Sequence, residues 1–442
     1  MRSRLGHRAR TAAAVMFFVA AVGVAVLRVG VLTHVGSLRL SAPYAMNDFY
    51  SATYYPVRAF LEGENPHDHV RLKALYPQVE DYPPYLPLNL VLHLPFGLLP
   101  PRAAAITYFS FSVLLTLLLA VAALRLAGIP SSLRRVTLVA ALLLLSRPGH
   151  WTLISGQHAI LLTLLTYLAL LNARQSPIHS GLALGICMYK PTFGVPLAVL
   201  MLASGYARAV GVGALVTGAV NIPLFLLLAD RAGGVGPFVQ KLFAGYHTWQ
   251  NVPGMDLGSS LNPYSFQRVD VTVLVSRFVG HSLPAGLSLT LAAAVLAAAG
   301  LGLFRLAKHQ GRAAADLSIG LVSLGVLLAA YHMAYDLVLL TAPVAALVAR
   351  GLPKLAQLGG RLGFLVLFAI PGLNWVVTES VLRAWAPARP VWLAVASVNS
   401  FCLVALFCGY LAVALAYTRL QTALAVASGT PVPAGASTPP HR

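Results

Sequence analysis

The chain has 442 residues, of which 58% are hydrophobic and only 10% are charged. In a soluble globular domain about a quarter of the residues are charged, so this composition excludes that class of protein. The net charge of +19 is spread over short loops between apolar segments, which favours anionic lipid headgroups over nucleic acid as its counterpart. Apolar runs of roughly the 20 residues that cross a bilayer recur along the whole length. The sequence therefore predicts an all-α polytopic integral membrane protein.

The first apolar segment, residues 11–33, follows the basic stretch RSRLGHRAR, and we interpret it as an uncleaved helix. The later apolar runs predict helices at 103–127, 134–146, 158–173, 178–189, 191–203, 209–229, 283–304, 314–331, 335–349, 359–377 and 391–418. About 11–12 of these segments would be transmembrane helices of one domain, residues 1–426, with long hydrophilic loops at 34–101 and 230–282. The Pro-, Ser- and Thr-rich tail, 427–442, is predicted to be a disordered cytoplasmic end.

The Lys190-Pro191 pair divides two apolar segments that are each too short to cross a bilayer alone. If residues 178–203 enter the membrane and return, the Arg- and Lys-bearing loops fall on the side of the basic N-terminus, as the positive-inside rule requires. Both long loops and every acidic residue except Asp316 then lie on the opposite side. We therefore expect the chemistry on the extracytoplasmic face of the cytoplasmic membrane.

Residues 44–68, YAMNDFYSATYYPVRAFLEGENPHD, gather four of the chain's 12 acids directly after the first apolar segment. The apolar residues after Asp48 have a roughly helical spacing. Asp48 is therefore either the N-cap of a helix on the membrane surface or a carboxylate that acts as a general base, and the two roles are compatible. We interpret Glu62, Glu64 and Asp68 as solvated turn residues.

Four stretches carry a family resemblance: NDFYSATYYPVRAFLEGENPHD, DYPPYLPLNLVLHLPFGLLPPRAA, SGQHAILLTLLTYLALLNARQSPIHSGLALGICMYKPTFGVPLAVLML and YHMAYDLVLL. In this order, over about residues 47–345, they resemble glycosyltransferase family 87, whose members are polyprenyl-phosphate-mannose-dependent mannosyltransferases of the GT-C superfamily. Three features depart from that pattern. His67 stands in place of Tyr, His158 stands in place of Asn, and the carboxylate of Asp48 is single where many GT-C enzymes have a pair.

The resemblance implies a GT-C-like fold and a sugar, most simply mannose, that moves from a polyprenyl-phosphate donor to a lipid or glycan acceptor. Asp48 would be the catalytic base, and cationic groups would stabilise the leaving phosphate. The donor carries no nucleotide, and the chain has no Gly-rich dinucleotide fingerprint, so we expect no cofactor. The single carboxylate and the lack of a third ligand beside His332 and Asp336 also argue against a metal site.

The expected donor-phosphate ligands are Lys190, His332 and Gln157. A lysine at a helix break in apolar surroundings is costly unless it is paired or hydrated, although it could also snorkel or pair with a structural acid. Gln157 could equally cap a helix. His332 and Asp336 are four residues apart, so a continuous helix would place them on one face, where they could bind substrate or simply join helices.

A further group of residues is predicted to bind the sugar or the acceptor: Tyr54, Tyr55, Trp249, Asn262, Arg268 and Asp336. The aromatic members could instead form an ordinary interfacial belt. Two other functions remain open, a lipid-linked sugar flippase or transporter and a non-catalytic scaffold for envelope assembly. A transporter needs polar residues through both leaflets, whereas here they concentrate on one face, which favours chemistry at the membrane surface.

Overall fold

A computed structural model describes residues 2–34, 45–79, 82–83, 85–250, 265–309, 311–351, 360–378, 381–382 and 389–427. These ranges form helices and one isolated β-bridge, between Arg268 and Met333. The main helices are α1 (Arg2–Thr33), α7 (Pro101–Leu126), α8 (Leu133–Leu145), α9 (Arg147–Ser155), α10 (Ala159–Asn172), α11 (Pro177–Cys187), α12 (Pro191–Ala203), α13 (Ala207–Arg231), α14 (Val235–Gln250), α15 (Val271–Val279), α16 (Ala285–Ala307), α17 (Arg312–Ala329), α18 (Thr341–Arg350), α19 (Gly360–Leu373) and α20 (Arg389–Ala427).

Six helices in these ranges are long and apolar enough to cross a membrane, namely α1, α7, α13, α16, α17 and α20. Helices α8 and α9 meet at a bend of 77° and count as a seventh if they form one span. The all-α polytopic fold predicted from composition is therefore confirmed. The count is lower than 11–12 because α10, α11, α12 and α19 are apolar but shorter than a full span.

The first long loop is built from short helices: α2 (Asn47–Phe49), a π-helical turn (Tyr50–Tyr54), α3 (Tyr55–Leu61), α4 (His69–Leu75), α5 (Leu88–Leu92) and α6 (Leu94–Gly97). It packs on one end of the helix bundle, which we call the loop end. The Leu86 N–H donates to the Tyr189 carbonyl at 2.9 Å, and Arg231 at the end of α13 donates to the Phe60 carbonyl at 2.9 Å. The connection between α11 and α12 therefore reaches the first loop.

The opposite end, which we call the basic end, holds the turns after α7, α10, α12 and α16. Arg312 donates to the Leu126 carbonyl and Arg350 to the Ala127 carbonyl there, so the end of α7 meets the start of α17 and the end of α18. Helix α11 runs from this end to Tyr189, and α12 runs back toward it, so the two helices form a hairpin within the bundle. Among the described acidic residues, only Asp316 lies at the basic end.

Most predicted helix ranges agree with the observed ones. Helix α9 was not predicted, because its short sequence RPGHWTLIS is polar at the start. Helices α14 and α15 were not predicted either, and both lie within residues 230–282, which the sequence predicted as a loop. Residues 335–349 do not form one helix, since a 3-10 helix, Ala334–Leu340, precedes α18. His332 lies before this 3-10 helix, so the expectation that it shares a helix face with Asp336 is wrong, although the two side chains do meet through the tight turn.

Candidate active site

Asp48 lies in the first turn of α2, and the N-cap position belongs to Met46. The N-cap role considered for Asp48 is therefore wrong. Met46 has a left-handed backbone, with φ 57°, and its N–H donates to the Ile154 carbonyl at 2.8 Å. The π-helical turn follows two residues after Asp48. Such turns are rare and occur frequently at functional sites, and here one sets the direction of the chain directly after the carboxylate.

Lys190, Asp336 and His332 form a buried cluster at the same end of the bundle. The Lys190 ammonium lies 3.2 Å from Asp336 Oδ1, and His332 Nδ1 lies 3.0 Å from Asp336 Oδ2. The Met333 N–H donates to the same carboxylate at 3.0 Å. Lys190 is 5% exposed, and the other two ionisable residues are completely buried. A buried charge is tolerated only when it is paired and hydrogen-bonded in this way.

His332 lies between two acceptors. Its Nε2 lies 3.1 Å from the Thr192 carbonyl oxygen, while its Nδ1 faces the Asp336 carboxylate. The Asp336 carboxylate therefore has two basic side chains as neighbours, Lys190 and His332. Such a cluster is suited to an anion.

Tyr85 links this cluster to Asp48. Burial raises the pKa of the Tyr85 hydroxyl, and the Asp48 and Asp336 carboxylates raise it further, so both acids lie near this one side chain. The Tyr335 hydroxyl is also in the electrostatic range of both acids. Tyr85 packs against Tyr189 with ring centroids 6.0 Å apart. Asp48 and Asp336 therefore both lie within electrostatic range of Tyr85 and Tyr335.

Arg268 lies beside the cluster. The Val269 N–H donates to the His332 carbonyl at 3.0 Å, and the Ala334 N–H donates to the Gln267 carbonyl at 2.7 Å. The Arg268 guanidinium makes a two-point contact with Asp270, at 2.9 and 3.0 Å, and lies over the Tyr331 ring. Its position fits the sugar- or acceptor-binding role predicted from sequence, but much of its charge is already matched by Asp270.

The remaining predicted site residues lie elsewhere or outside the described side chains. The Tyr54 hydroxyl donates to the Leu99 carbonyl at 2.9 Å, and Tyr55 packs on Tyr76, so both belong to the interior of the first loop. Gln157 is buried in the turn before α10, where its carbonyl accepts from Tyr108. The Trp249 side chain and all of Asn262 lie outside the described part of the chain.

Comparison with known protein families gives a match. A sequence profile for glycosyltransferase family 87 matches residues 82–330, more than half of the chain. The chain belongs to glycosyltransferase family 87. No curated protein and no solved structure matches it. Family membership identifies a membrane glycosyltransferase that uses a sugar donor and an acceptor, and it favours this class over the transporter and the scaffold.

In this family 87 glycosyltransferase the match includes Tyr85, Gln157, Lys190 and Arg268, whereas Asp48 and the His332–Asp336 segment lie outside it. Sequence reasoning missed Tyr85, and it also missed the two tyrosines that flank His332. The signal was present in the motifs DYPPYLP and YHMAYDL, where tyrosine recurs beside the proposed charged groups. Within the described ranges, no three His, Cys, Asp or Glu side chains converge as a metal site would require.

Proposed function

We propose that this glycosyltransferase moves a sugar from a polyprenyl-phosphate donor to a hydroxyl group of a lipid or glycan acceptor. The observation that supports this best is that Asp48 and Asp336 both lie within electrostatic range of Tyr85, which packs on Tyr189, the residue before Lys190. One side supplies a carboxylate for the attacking hydroxyl, and the other supplies positive charge for a leaving phosphate. The choice of mannose as the sugar rests on the resemblance of the motifs.

The reaction is a displacement at the anomeric carbon of the sugar. The acceptor oxygen forms a bond to this carbon, while the bond between the carbon and the phosphate oxygen breaks and its electron pair stays on the phosphate. The acceptor proton passes to Asp48, which acts as the general base. Lys190 and His332 stabilise the charge that develops on the phosphate. Asp336 holds both cations in place before the donor arrives.

A lipid-linked donor suits the position of Lys190. The residue lies at the tip of the α11–α12 hairpin, whose two helices are apolar and run into the bundle from the basic end. A donor with a polyprenyl chain can place its phosphate at this tip while its chain remains in the membrane. The site therefore needs no nucleotide-binding domain.

The decisive experiment replaces Asp48 with Asn. Purified protein is incubated with polyprenyl-phosphate mannose and a membrane lipid extract, and lipid products are identified by mass spectrometry. We expect Asp48→Asn to fold and bind donor but to lose about 10²–10⁴-fold in transfer rate, since a positioned base contributes this much. Asp68→Asn is the matched control, because Asp68 lies in the same loop and pairs with Lys241. Near wild-type transfer by Asp48→Asn would reject the general-base role.

The proposal also includes the side of the membrane. Val70 in the first loop is 83% exposed, and Arg174 lies in the turn between α10 and α11 at the basic end. In a variant that lacks the three native cysteines, we expect Val70→Cys to react with a membrane-impermeant maleimide in intact cells. Arg174→Cys should react only after permeabilisation. The reverse pattern would place the site on the cytoplasmic face.

A further inference from the structure

The turn before α10 contacts the Asp48 segment at three successive points. The Ile154 carbonyl accepts from the Met46 N–H at 2.8 Å. Gly156, with φ +75°, lies so close to Phe49 that an added Cβ would be 2.4 Å from the Phe49 Cβ. Two residues later, His158 Nε2 lies 2.6 Å from the Thr53 hydroxyl. Residues 154–158 therefore lie along the whole of residues 46–53, which we call the Asp48 segment.

The last of these contacts holds the π-helical turn. Thr53 is completely buried within that turn, five residues after Asp48. A π-turn is less favourable than a continuous α-helix, so it persists where tertiary contacts hold it. The buried Thr53–His158 hydrogen bond ties this turn to the start of α10, beside the longer contact of the Tyr50 hydroxyl with the Pro101 carbonyl at 3.5 Å. A return to α-helical hydrogen bonding would rotate Asp48 relative to everything after it.

The His158 ring is itself held in place. It stacks on the His93 ring, with centroids 4.7 Å apart and an interplanar angle of 15°. His93 Nδ1 donates to the Asn89 carbonyl at 2.9 Å, which fixes the second ring. His158 also lies against Tyr85 and Tyr189, at 5.5 Å from each ring. The imidazole therefore has one orientation, and that orientation directs Nε2 at Thr53.

We propose that His158 and Thr53 are positioning residues for Asp48: their hydrogen bond fixes the π-helical turn and so aims the carboxylate at the acceptor hydroxyl. This inference rests on the proposed function, in which Asp48 is the general base. It assigns the pair no contact with substrate. It also gives the Ser-Gly-Gln-His motif a role of its own. Gly156 allows the close approach of the Asp48 segment, and His158 holds that segment through its hydrogen bond to Thr53.

Two pairs of variants separate the hydrogen bond from the volume of the side chain. Thr53→Val removes the hydroxyl at nearly constant shape, and Thr53→Ser keeps it. His158→Gln places an amide nitrogen near the position of Nε2, whereas the shorter side chain of His158→Asn does not reach Thr53. We expect Thr53→Val and His158→Asn to lose about 10–100-fold in kcat with little change in acceptor KM, since a misplacement of about 1 Å can cost this much. Thr53→Ser and His158→Gln should stay within about threefold of the wild type.

A double variant tests whether the pair acts through Asp48. Once Asp48→Asn has removed the base, the placement of residue 48 no longer matters, so Asp48→Asn/Thr53→Val should be no slower than Asp48→Asn alone. Multiplied losses would overturn the inference, and so would a wild-type kcat for both Thr53→Val and His158→Asn. If Asp48→Asn is inactive while those two variants are normal, only the positioning role is rejected. If Asp48→Asn itself transfers normally, the proposed function is rejected as well.

Discussion

Each end of the bundle contains a buried aspartate that pairs with two basic side chains. At the loop end, Asp336 faces Lys190 and His332. At the basic end, Asp316 pairs with two arginines, Arg312 at 2.8 Å and Arg350 at 2.9 Å. In both clusters one carboxylate meets two basic side chains. A count of partners alone would therefore assign both the same role.

The difference lies in the other hydrogen-bond partners of the basic side chains. Each arginine at the basic end also donates to a carbonyl at the end of α7, Leu126 or Ala127, where the helix dipole is negative. Both arginines are about one-third exposed, so water and headgroups reach them too. The arginines thus join the ends of α7 and α18 to the start of α17, and their hydrogen-bond donors have partners within the protein or in solvent.

Lys190 has no such second acceptor within the described part of the chain. Its ammonium bonds only Asp336 there and otherwise lies against the rings of Phe193 and Tyr335, at 5.1 and 5.5 Å. An ammonium has three donors, and aromatic faces satisfy them weakly. The cluster at the basic end thus joins helices, whereas at the loop end the Lys190 ammonium keeps donors that a bound anion could accept.

The comparison is tested most strongly by removal of one cation at each end. Lys190→Met should reduce transfer at least 10²-fold and lower stability by about 3–5 kcal/mol, because it leaves a buried carboxylate without its main partner. Arg350→Met should leave transfer unchanged and cost about 1 kcal/mol, since its ion pair is partly exposed and Arg312 remains. Transfer rate and thermal unfolding are measured on the same detergent preparations. Normal turnover by Lys190→Met would make the two ends equivalent.

A double replacement decides whether the Lys190–Asp336 pair serves structure or chemistry. Buried ion pairs can often be exchanged for apolar residues of similar volume without loss of stability. We therefore expect Lys190→Met/Asp336→Leu to recover much of the stability lost in Lys190→Met while transfer stays at the level of the single variant. If transfer returns together with stability, the pair only joins helices, as Arg312 and Asp316 do.

The close approach at Gly156 offers a third comparison between the two ends. Gly156 and Gly205 both have positive φ, 75° and 86°, but nothing lies within 4 Å of a Cβ built at Gly205, in the turn after α12. Gly205→Ala should cost only the backbone strain, about 1–2 kcal/mol. Gly156→Ala adds a collision with Phe49, so we expect about 1–3 kcal/mol more and a lower transfer rate. Equal losses of stability with normal transfer by Gly156→Ala would show that the Asp48 segment does not depend on this contact.

Much of the fold follows from the sequence because apolar length and proline positions determine where a membrane helix begins and ends. Helix α12 was predicted at its observed bounds, since Pro191 starts it and Ser204-Gly205 ends it. The π-helical turn after Asp48 was not predicted, because its sequence YSATY is compatible with an ordinary helix. It depends on a tertiary contact with His158, 105 residues away.

The sequence indicated the charged residues of the candidate site but not their arrangement. A lysine in an apolar segment and a His-x3-Asp motif were two separate signals, and the structure brings these residues into one cluster. Their pairing could not be read from sequence, since 146 positions separate Lys190 from Asp336. Tyr54 and Tyr55 were predicted to bind the sugar or the acceptor, but the Tyr54 hydroxyl bonds the Leu99 carbonyl and Tyr55 packs on Tyr76.

The smallest expected effect concerns the exposed acids that accompany Asp48 at the loop end. Asp68 caps α4 through the Arg71 N–H and pairs with Lys241 of α14 at 2.6 Å. Burial alone would raise the pKa of Asp68, but the hydrogen bonds from Lys241 and Arg71 bring it below its ordinary value. A lowered pKa stabilises the fold above the ordinary aspartate pKa of about 3.9, and this contribution disappears as the pH falls through the lowered value.

Lys241→Met should therefore lower stability by only about 0.5 kcal/mol at pH 7, since the pair is partly exposed. The difference from the wild type should shrink in thermal unfolding as the pH falls below the ordinary aspartate pKa of about 3.9, and it should vanish once Asp68 is protonated in both folded proteins. Transfer at pH 7 should remain unchanged, because this acid ties the first loop to α14 and does not face Tyr85. A large loss of transfer, or a stability difference that persists in acid, would mean that Lys241 acts through something other than Asp68. The distinction between Asp68, which supports only the first loop, and Asp336, which belongs to the site, would then be wrong.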